Sequence, residues 1–365
     1  MKSIVCKTFN KPFTHSIGKS LIIPRSNLQI TCFPAKLFLH LLDEEKTLVA
    51  EIDLDIQGPV KEFTWEVDLH NNWANLHFLT QEAPVSLRFI ISQQALKIIC
   101  RRSAKEGVKL NVSSKGFLNK AVSAYSLAKG EETLLCFSSM EVYEDSGQAR
   151  LFLGSLKKQN LDQMKEREDI KEWLPLFFTY ASLCKEKEQG MQALCYKELE
   201  NAGNNELNES FFNLFKVHFK DFFSPSFFDS YFQNIQTKND KVLQGLSHVS
   251  LLSSLYPLIL NLFINFEGKK KLCILPKVPP QIPSGKLIGL KISSEISISI
   301  QWSKKKLRQV EIYCHEDVRF TLGLSKAIKS FRIFSKAKTK AQIISADKPI
   351  EFCKNTRYFL DRFTS

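Results

Sequence analysis

The feature that leaves this chain least freedom is a strict alternation beginning at Glu295. Ile296, Ile298, Ile300 and Trp302 fall on one side, and Ser297, Ser299 and Gln301 fall on the other. A period of two sustained this long requires an extended strand with one buried and one wet face. Residues 303–306 read as a polar turn, after which Val310, Ile312 and Cys314 resume the pattern. Glu316-Asp317 turns the chain again before Val318, Phe320 and Leu322. Three such strands in succession predict an antiparallel meander, and hence part of a β-sandwich.

The same signature recurs nearer the start. Leu48, Ala50, Ile52, Leu54 and Ile56 alternate against Val49, Glu51, Asp53 and Asp55. After Gly58-Pro59, Phe63, Trp65, Val67 and Leu69 alternate against Glu62, Thr64, Glu66 and Asp68. Residues 85–91, 96–100 and 108–112 continue the series, with breaks at Asn71-Asn72, Gln93-Gln94 and Glu106-Gly107. Strands this closely spaced predict a large antiparallel sandwich over 1–150, with residues 1–20 as a polar arm. The outward carboxylates read as the solvated side of a one-faced sheet rather than a metal site.

Near Leu151 the period changes. Asn160 with Gln163 three residues on forms a capping box, and Ile170, Trp173, Leu174, Phe177, Phe178 and Ala181 follow at helical spacing. Pro175 inside that pattern is expected to kink the helix or open a fresh first turn. A second helix is expected over 192–201. Phe211, Phe212, Phe215, Phe219, Phe222 and Phe223 make an aromatic stripe, interrupted at Ser224-Pro225 before Phe227, Phe228 and Phe232. Such a stripe is ordinarily core, although aromatic faces also stack on sugar rings. Residues 242–266 lack any Asp, Glu, Lys or Arg, but their serines, asparagines and Pro257 favour a buried helix over a membrane span.

One stretch of the sequence resembles a known family. An apolar helix, a polar break, Ile274-Leu275-Pro276, Val278-Pro279, Ser284-Gly285, Gly289-Leu290 and a strand ending in Trp302, followed by Leu307 and Ile312, form an ordered set. Over about residues 265–325 this order and spacing resembles the C-terminal end of family-95 glycoside hydrolases, the α-L-fucosidase and α-galactosidase group. The resemblance implies an N-terminal β-supersandwich, an (α/α)6 barrel and a closing β-sandwich. The fold expected is therefore α+β and multidomain. It has an antiparallel β-sandwich over 1–150, a helical region like part of an α/α-barrel over 151–266, and a β-sandwich over 267–365.

The family hydrolyses with inversion, through a glutamic acid and a water assisted by Asn or Asp, and two such groups must flank the bond. An aspartate ahead of a Gly-Asn-Phe-Gly motif is implied just upstream of the last helix. The corresponding zone here reads Leu243-Gln244-Gly245-Leu246-Ser247-His248, with Asp240 the nearest aspartate, so no catalytic residue carries over. Twelve helices of ordinary length need roughly 200 residues, whereas 151–266 spans 116. These observations lead to a protein of glycoside-hydrolase type that has lost catalysis and binds carbohydrate or acts as a scaffold. The alternative is a glycosidase completed by oligomerisation. For a sugar site in the middle region the residues expected are Trp173, Phe228 and Asp229.

Charge adds a third reading. The chain holds 51 Lys+Arg against 38 Asp+Glu, and residues 267–365 hold 21 against 8, which accounts for the whole excess. Lys304, Lys305, Lys306 and Arg308, with the 326–340 run, form a basic patch suited to an anionic polymer such as nucleic acid, or to a membrane surface. No cofactor is expected, because the seven histidines show no H-E-x-x-H and there is neither a phosphate loop nor a nucleophile elbow. Nine cysteines without a C-x2-C pair read as free thiols of a reducing, cytoplasmic setting, and residues 1–27 lack the apolar core of a signal peptide.

Overall fold

The computed structural model describes residues 19–43, 47–56, 60–138, 149–154, 159–167, 169–183, 256–257, 259–268, 271–335 and 338–364. The chain divides into two compact units: 1–144 with 158–166 and 216–246, and 145–157 with 167–215 and 247–365.

In the first unit, strands β1 (Lys19–Ile22), β2 (Leu28–Phe33), β3 (Lys36–Leu41), β4 (Leu48–Asp55), β5 (Lys61–Asp68), β6 (Trp73–Leu79), β7 (Pro84–Ser92), β8 (Ala95–Arg102), β9 (Val108–Ser114), β10 (Val122–Leu127) and β11 (Glu132–Cys136) follow one another. They form one sheet ordered β1-β2-β3-β4-β9-β10 and a second ordered β11-β8-β7-β6-β5, extended past β5 by Gln159–Asn160. All the pairings are antiparallel. The alternation read from sequence is the burial pattern through the middle of β4 and β5, but it fails at their ends. Val49, expected outside, is buried where the β3–β4 register shifts, and Asp68, also expected outside, is buried at the turn it holds. Ile52, Leu54, Trp65, Val67, Leu87 and Phe89 are inside, and the Trp65 and Phe89 rings sit 5.5 Å apart.

The outward carboxylates of β4 meet lysines. Lys36 Nζ lies 2.8 Å from Glu51 and 3.3 Å from Asp53, and Lys109 Nζ lies 3.7 Å from Asp55. At the β5–β6 turn, Asp68 accepts from the His70 and Asn71 backbones, so the expected break at Asn71-Asn72 is built around that carboxylate.

The second unit begins with β12 (Arg150–Phe152), whereas β13 (Gln159–Asn160), the short strand already placed beside β5, and nearly all of the helix after it return to the first unit. Helix α1 (Leu161–Arg167) starts at Asn160, whose side chain accepts from Gln163 N at 3.1 Å, as the capping pattern predicts. Helix α2 (Ile170–Ala181) is capped by Asp169, and it continues through Pro175 instead of restarting there. Its Trp173, Leu174, Phe177 and Phe178 are buried.

The C-terminal strands are β14 (Ile264–Glu267), β15 (Lys271–Ile274), β16 (Gly285–Lys291), β17 (Ile296–Ser303), β18 (Lys306–Cys314), β19 (Val318–Gly323), β20 (Ser330–Ser335), β21 (Lys338–Ser345), β22 (Ile350–Phe352) and β23 (Thr356–Thr364). They form a seven-stranded sheet, β12-β16-β17-β18-β23-β20-β21, and a four-stranded one, β14-β15-β19-β22. Trp302, Ile300, Val310, Ile312, Tyr358 and Leu360 face inward from the first sheet. Phe352 of the second stands edge-on to Tyr358 at 5.0 Å.

Two expectations are corrected. β17 and β18 pair as foreseen, but β19 does not continue the meander. The final strand β23 takes the place beside β18, and β19 crosses to the small sheet between β15 and β22. Apolar periodicity fixes the buried face of a strand and leaves its neighbour open. The apolar helix ahead of the domain ends sooner than expected: residues 259–263 are helical, and from Ile264 the chain is strand. A helical middle is seen only in α1, α2 and this short turn, since most of 151–266 lies outside the described residues.

The described cysteines 32, 100, 136, 273, 314 and 353 form no disulfide. Burial pushes Cys32 well up, and burial together with neighbouring Cys353 pushes Cys314 up to about 11, which keeps both protonated and unreactive at neutral pH. No helix among the described residues is long and apolar enough to cross a membrane.

Candidate functional site

The outer face of the seven-stranded sheet carries the most varied chemistry. Because Ile296, Ile298 and Ile300 point inward on β17, Ser297 and Ser299 point outward. On β18 Ile312 and Cys314 are inside and Glu311, Tyr313 and His315 outside. Register then assembles rows across the strands. Lys291, Ser297, Tyr313 and Arg357 form one row, and Ser299, Glu311, Phe359 and Phe334 the next.

A cleft of about 230 Å³ opens over these rows, lined by Gly289, Lys291, Ser297, Ser299, Glu311, Tyr313, His315 and Arg357, with Ile298 at its floor. At roughly 30 Å³ per water it holds about eight waters, enough for one sugar ring and too little to enclose a chain. Ser297 Oγ and His315 Nε2 share a hydrogen bond of 3.1 Å, and the His315 ring stands edge-on to Tyr313 at 4.7 Å. Arg357 Nη1 sits 3.1 Å from Glu311 Oε1, and its guanidinium lies 5.7 Å from the Tyr313 ring. Ser299 Oγ accepts from Gly289 N at 3.0 Å. The site thus combines a half-buried aromatic ring with hydroxyls, an imidazole, a carboxylate and two cations on one shallow surface.

Beyond it the same face stays amphipathic. Phe334 stacks on Phe359 at 5.4 Å, and Arg332 forks Asp361, with Nε to Oδ1 at 2.7 Å. That hydrogen bond holds the Asp361 carboxyl below its usual value. A larger opening of about 520 Å³ lies between β10 and β11, lined by residues 124–127 and 130–133. It runs along two sheet edges, and its carboxylates are occupied: Glu132 by Lys97 and Glu131 by the Ala128 backbone. It offers little chemistry beyond backbone.

The residues expected from sequence fall elsewhere. Trp173 is buried within α2 at 1% exposure, so it presents no face to a ligand; an aromatic at helical spacing is core in this case. Phe228 and Asp229 lie outside the described residues. Lys304, Lys305, Lys306 and Arg308 are all exposed at the β17–β18 hairpin, and among the described residues no carboxylate is within ion-pair distance of them. Lys304 and Lys305 form a two-residue turn with φ of 53° and 59°, a conformation that usually calls for Asn-Gly. Their backbone amides donate to Ser284 Oγ and Pro283 O at 3.2 and 2.8 Å, which offsets part of the strain of about 1 kcal/mol or more per residue. None of Tyr313, His315, Glu311 and Arg357 was singled out from sequence.

The comparisons agree with the architecture. Residues 268–359 match the family model of the glycoside hydrolase family 95 C-terminal domain. This part of the chain therefore resembles the C-terminal portion of that family, over a longer stretch than the 265–325 motif order, and the matched segment contains every residue lining the cleft. No curated protein matches the chain.

Proposed function

We propose that this is a glycoside-hydrolase-related protein whose C-terminal sheet binds carbohydrate without cleaving it. The observation that carries the reading is Tyr313, half-buried in a shallow cleft and surrounded by side chains able to hydrogen-bond to vicinal hydroxyls. A sugar ring presents one apolar face for the phenol and a rim of hydroxyls for Ser297, Ser299, His315 and Glu311. Within the cleft Glu311 is the single carboxylate and is held by Arg357, whereas inversion needs two carboxyl groups about 6.5–9.5 Å apart.

Calorimetric titration of the full chain with fucosyl and galactosyl oligosaccharides is expected to give saturable binding that Tyr313→Ala weakens about tenfold, or 1.4 kcal/mol. Binding that survives Tyr313→Ala moves the site elsewhere. Turnover of aryl α-fucosides or α-galactosides would replace the reading with the alternative of an active glycosidase completed by oligomerisation.

The exposed cations at the hairpin tip support a second reading, contact with an anionic polymer through Lys304, Lys305, Lys306 and Arg308. Binding of single-stranded DNA measured between 50 and 200 mM salt is expected to fall steeply if the tip is used. A flat salt profile removes this reading.

A further inference from the structure

The cleft contains one side chain that a neutral sugar does not explain. Lys291 is exposed at its rim, and among the described residues no carboxylate lies within ion-pair distance. The sheet departs from regularity to put it there. Leu287 pairs with Ile300, and the register then shifts so that Leu290 pairs with Ile298 and Lys291 with Ser297. Without that extra residue, strand alternation would carry Lys291 to the same side as Leu287, into the core. The bulge moves Leu290 inside, at 2% exposure, and turns Lys291 onto the face of Ser297 and Tyr313. Gly289 makes it with φ of 68°, and its amide is fixed by Ser299 Oγ at 3.0 Å.

The charges around this ammonium are unevenly committed. Arg357, at the far end of the same cross-strand row, is engaged by Glu311 and lies against the Tyr313 ring. The carboxylate and the guanidinium cancel, which leaves the cleft with the charge of Lys291. Glu295 is the acid just ahead of β17; its carbonyl accepts from His315 N, its amide donates to Ser293 Oγ, and it is not part of the lining.

We infer that the cleft takes a glycan bearing an anionic substituent, a carboxylate or a sulfate, set against Lys291 while the sugar ring lies on Tyr313. This rests on the carbohydrate-binding reading and narrows it to acidic sugars. Ser297, between the two in the row, is placed to bridge ring hydroxyl and substituent. An exposed charged hydrogen bond of this kind amounts to about fivefold in affinity.

The test uses the full chain and three matched trisaccharides: galactotriose, its 6-carboxylate counterpart galacturonotriose, and 6-sulfated galactotriose. Either anionic member is expected to bind about fivefold more tightly than the neutral one at low salt, and the ratio is expected to fall to about one in Lys291→Gln. A preference for carboxylate over sulfate, or the reverse, identifies the substituent and supports the inference equally. Equal or tighter binding of galactotriose overturns it while leaving the carbohydrate reading intact. An anionic preference that persists in Lys291→Gln, and disappears instead in Lys304→Gln/Lys305→Gln, also overturns it by moving the anion contact to the hairpin tip. If none of the three sugars binds, the reading beneath it falls as well.

Discussion

Gly285→Ala is expected to destabilise the C-terminal unit by about 3 kcal/mol, a large effect for adding one methyl group. A Cβ at this position meets the Trp302 indole, with Cη2 at 2.6 Å and Cζ2 closer still, and the Phe152 carbonyl oxygen at 2.8 Å. Neither wall can retreat cheaply. Trp302 is buried at 1% exposure, donates from Nε1 to Ile282 O at 3.1 Å and packs on Phe263 with centroids 5.3 Å apart. Phe152 is backbone-paired in β12 against Lys286. A double-mutant cycle separates clash from any intrinsic strand preference of alanine. In a Trp302→Phe background the smaller ring leaves room, so Gly285→Ala should cost less there by about 1–2 kcal/mol. Denaturant unfolding of the four proteins measures this, and an additive cycle would show that the indole is not the obstacle.

That pair also marks how far the sequence could be read. Ser284-Gly285 and Trp302 were visible as parts of an ordered motif, and the alternation of Ile296 to Trp302 told which side of β17 is buried. The reason for a glycine was not visible, because it depends on Gly285 lying directly across from Trp302 in the sheet. The same limit explains the fate of β19. Val318, Phe320 and Leu322 announce a strand, but the place beside β18 is taken by β23, which begins at Thr356, far beyond the reach of local pattern. Local signals fared better: the Asn160 cap and the buried stripe of α2 are decided within a turn or two of chain.

β6 was missed although Ala74, Leu76 and Phe78 do alternate with Asn75 and His77. A small inward Ala and two outward residues that are themselves largely covered blur the contrast that alternation relies on. The candidate site was illegible for a further reason. Ser297, Tyr313 and Arg357 are unremarkable outward residues on separate strands, and only cross-strand register makes them neighbours. The Gly289 bulge that brings Lys291 to them is detectable only by counting paired residues, since Gly289 in isolation reads as an ordinary break.

Gly107 offers the corresponding test in the first unit, with a built-in control at Gly130. Both have left-handed backbones, with φ of 81° and 91°, so alanine is strained at either by about 1 kcal/mol or more. Their surroundings differ. A Cβ at Gly130 has nothing within 4 Å, whereas one at Gly107 meets Leu127 O at 2.7 Å and Leu127 C at 2.9 Å. Those are backbone atoms of β10, held by the Val108–Leu127 pairing at the start of β9, and no rotamer change can clear them. Gly107→Ala must push β10 away from β9 or distort the turn after Arg102, which adds about 2 kcal/mol to the strain. The expected loss is about 3 kcal/mol for Gly107→Ala against about 1 for Gly130→Ala. For a unit of this size that corresponds to midpoints lowered by about 6–12 °C and 2–4 °C. Thermal unfolding followed by circular dichroism reads both. Equal losses would mean that backbone strain is the whole effect, and that the edge strand β10 yields to Gly107 far more easily than its hydrogen-bonded register implies.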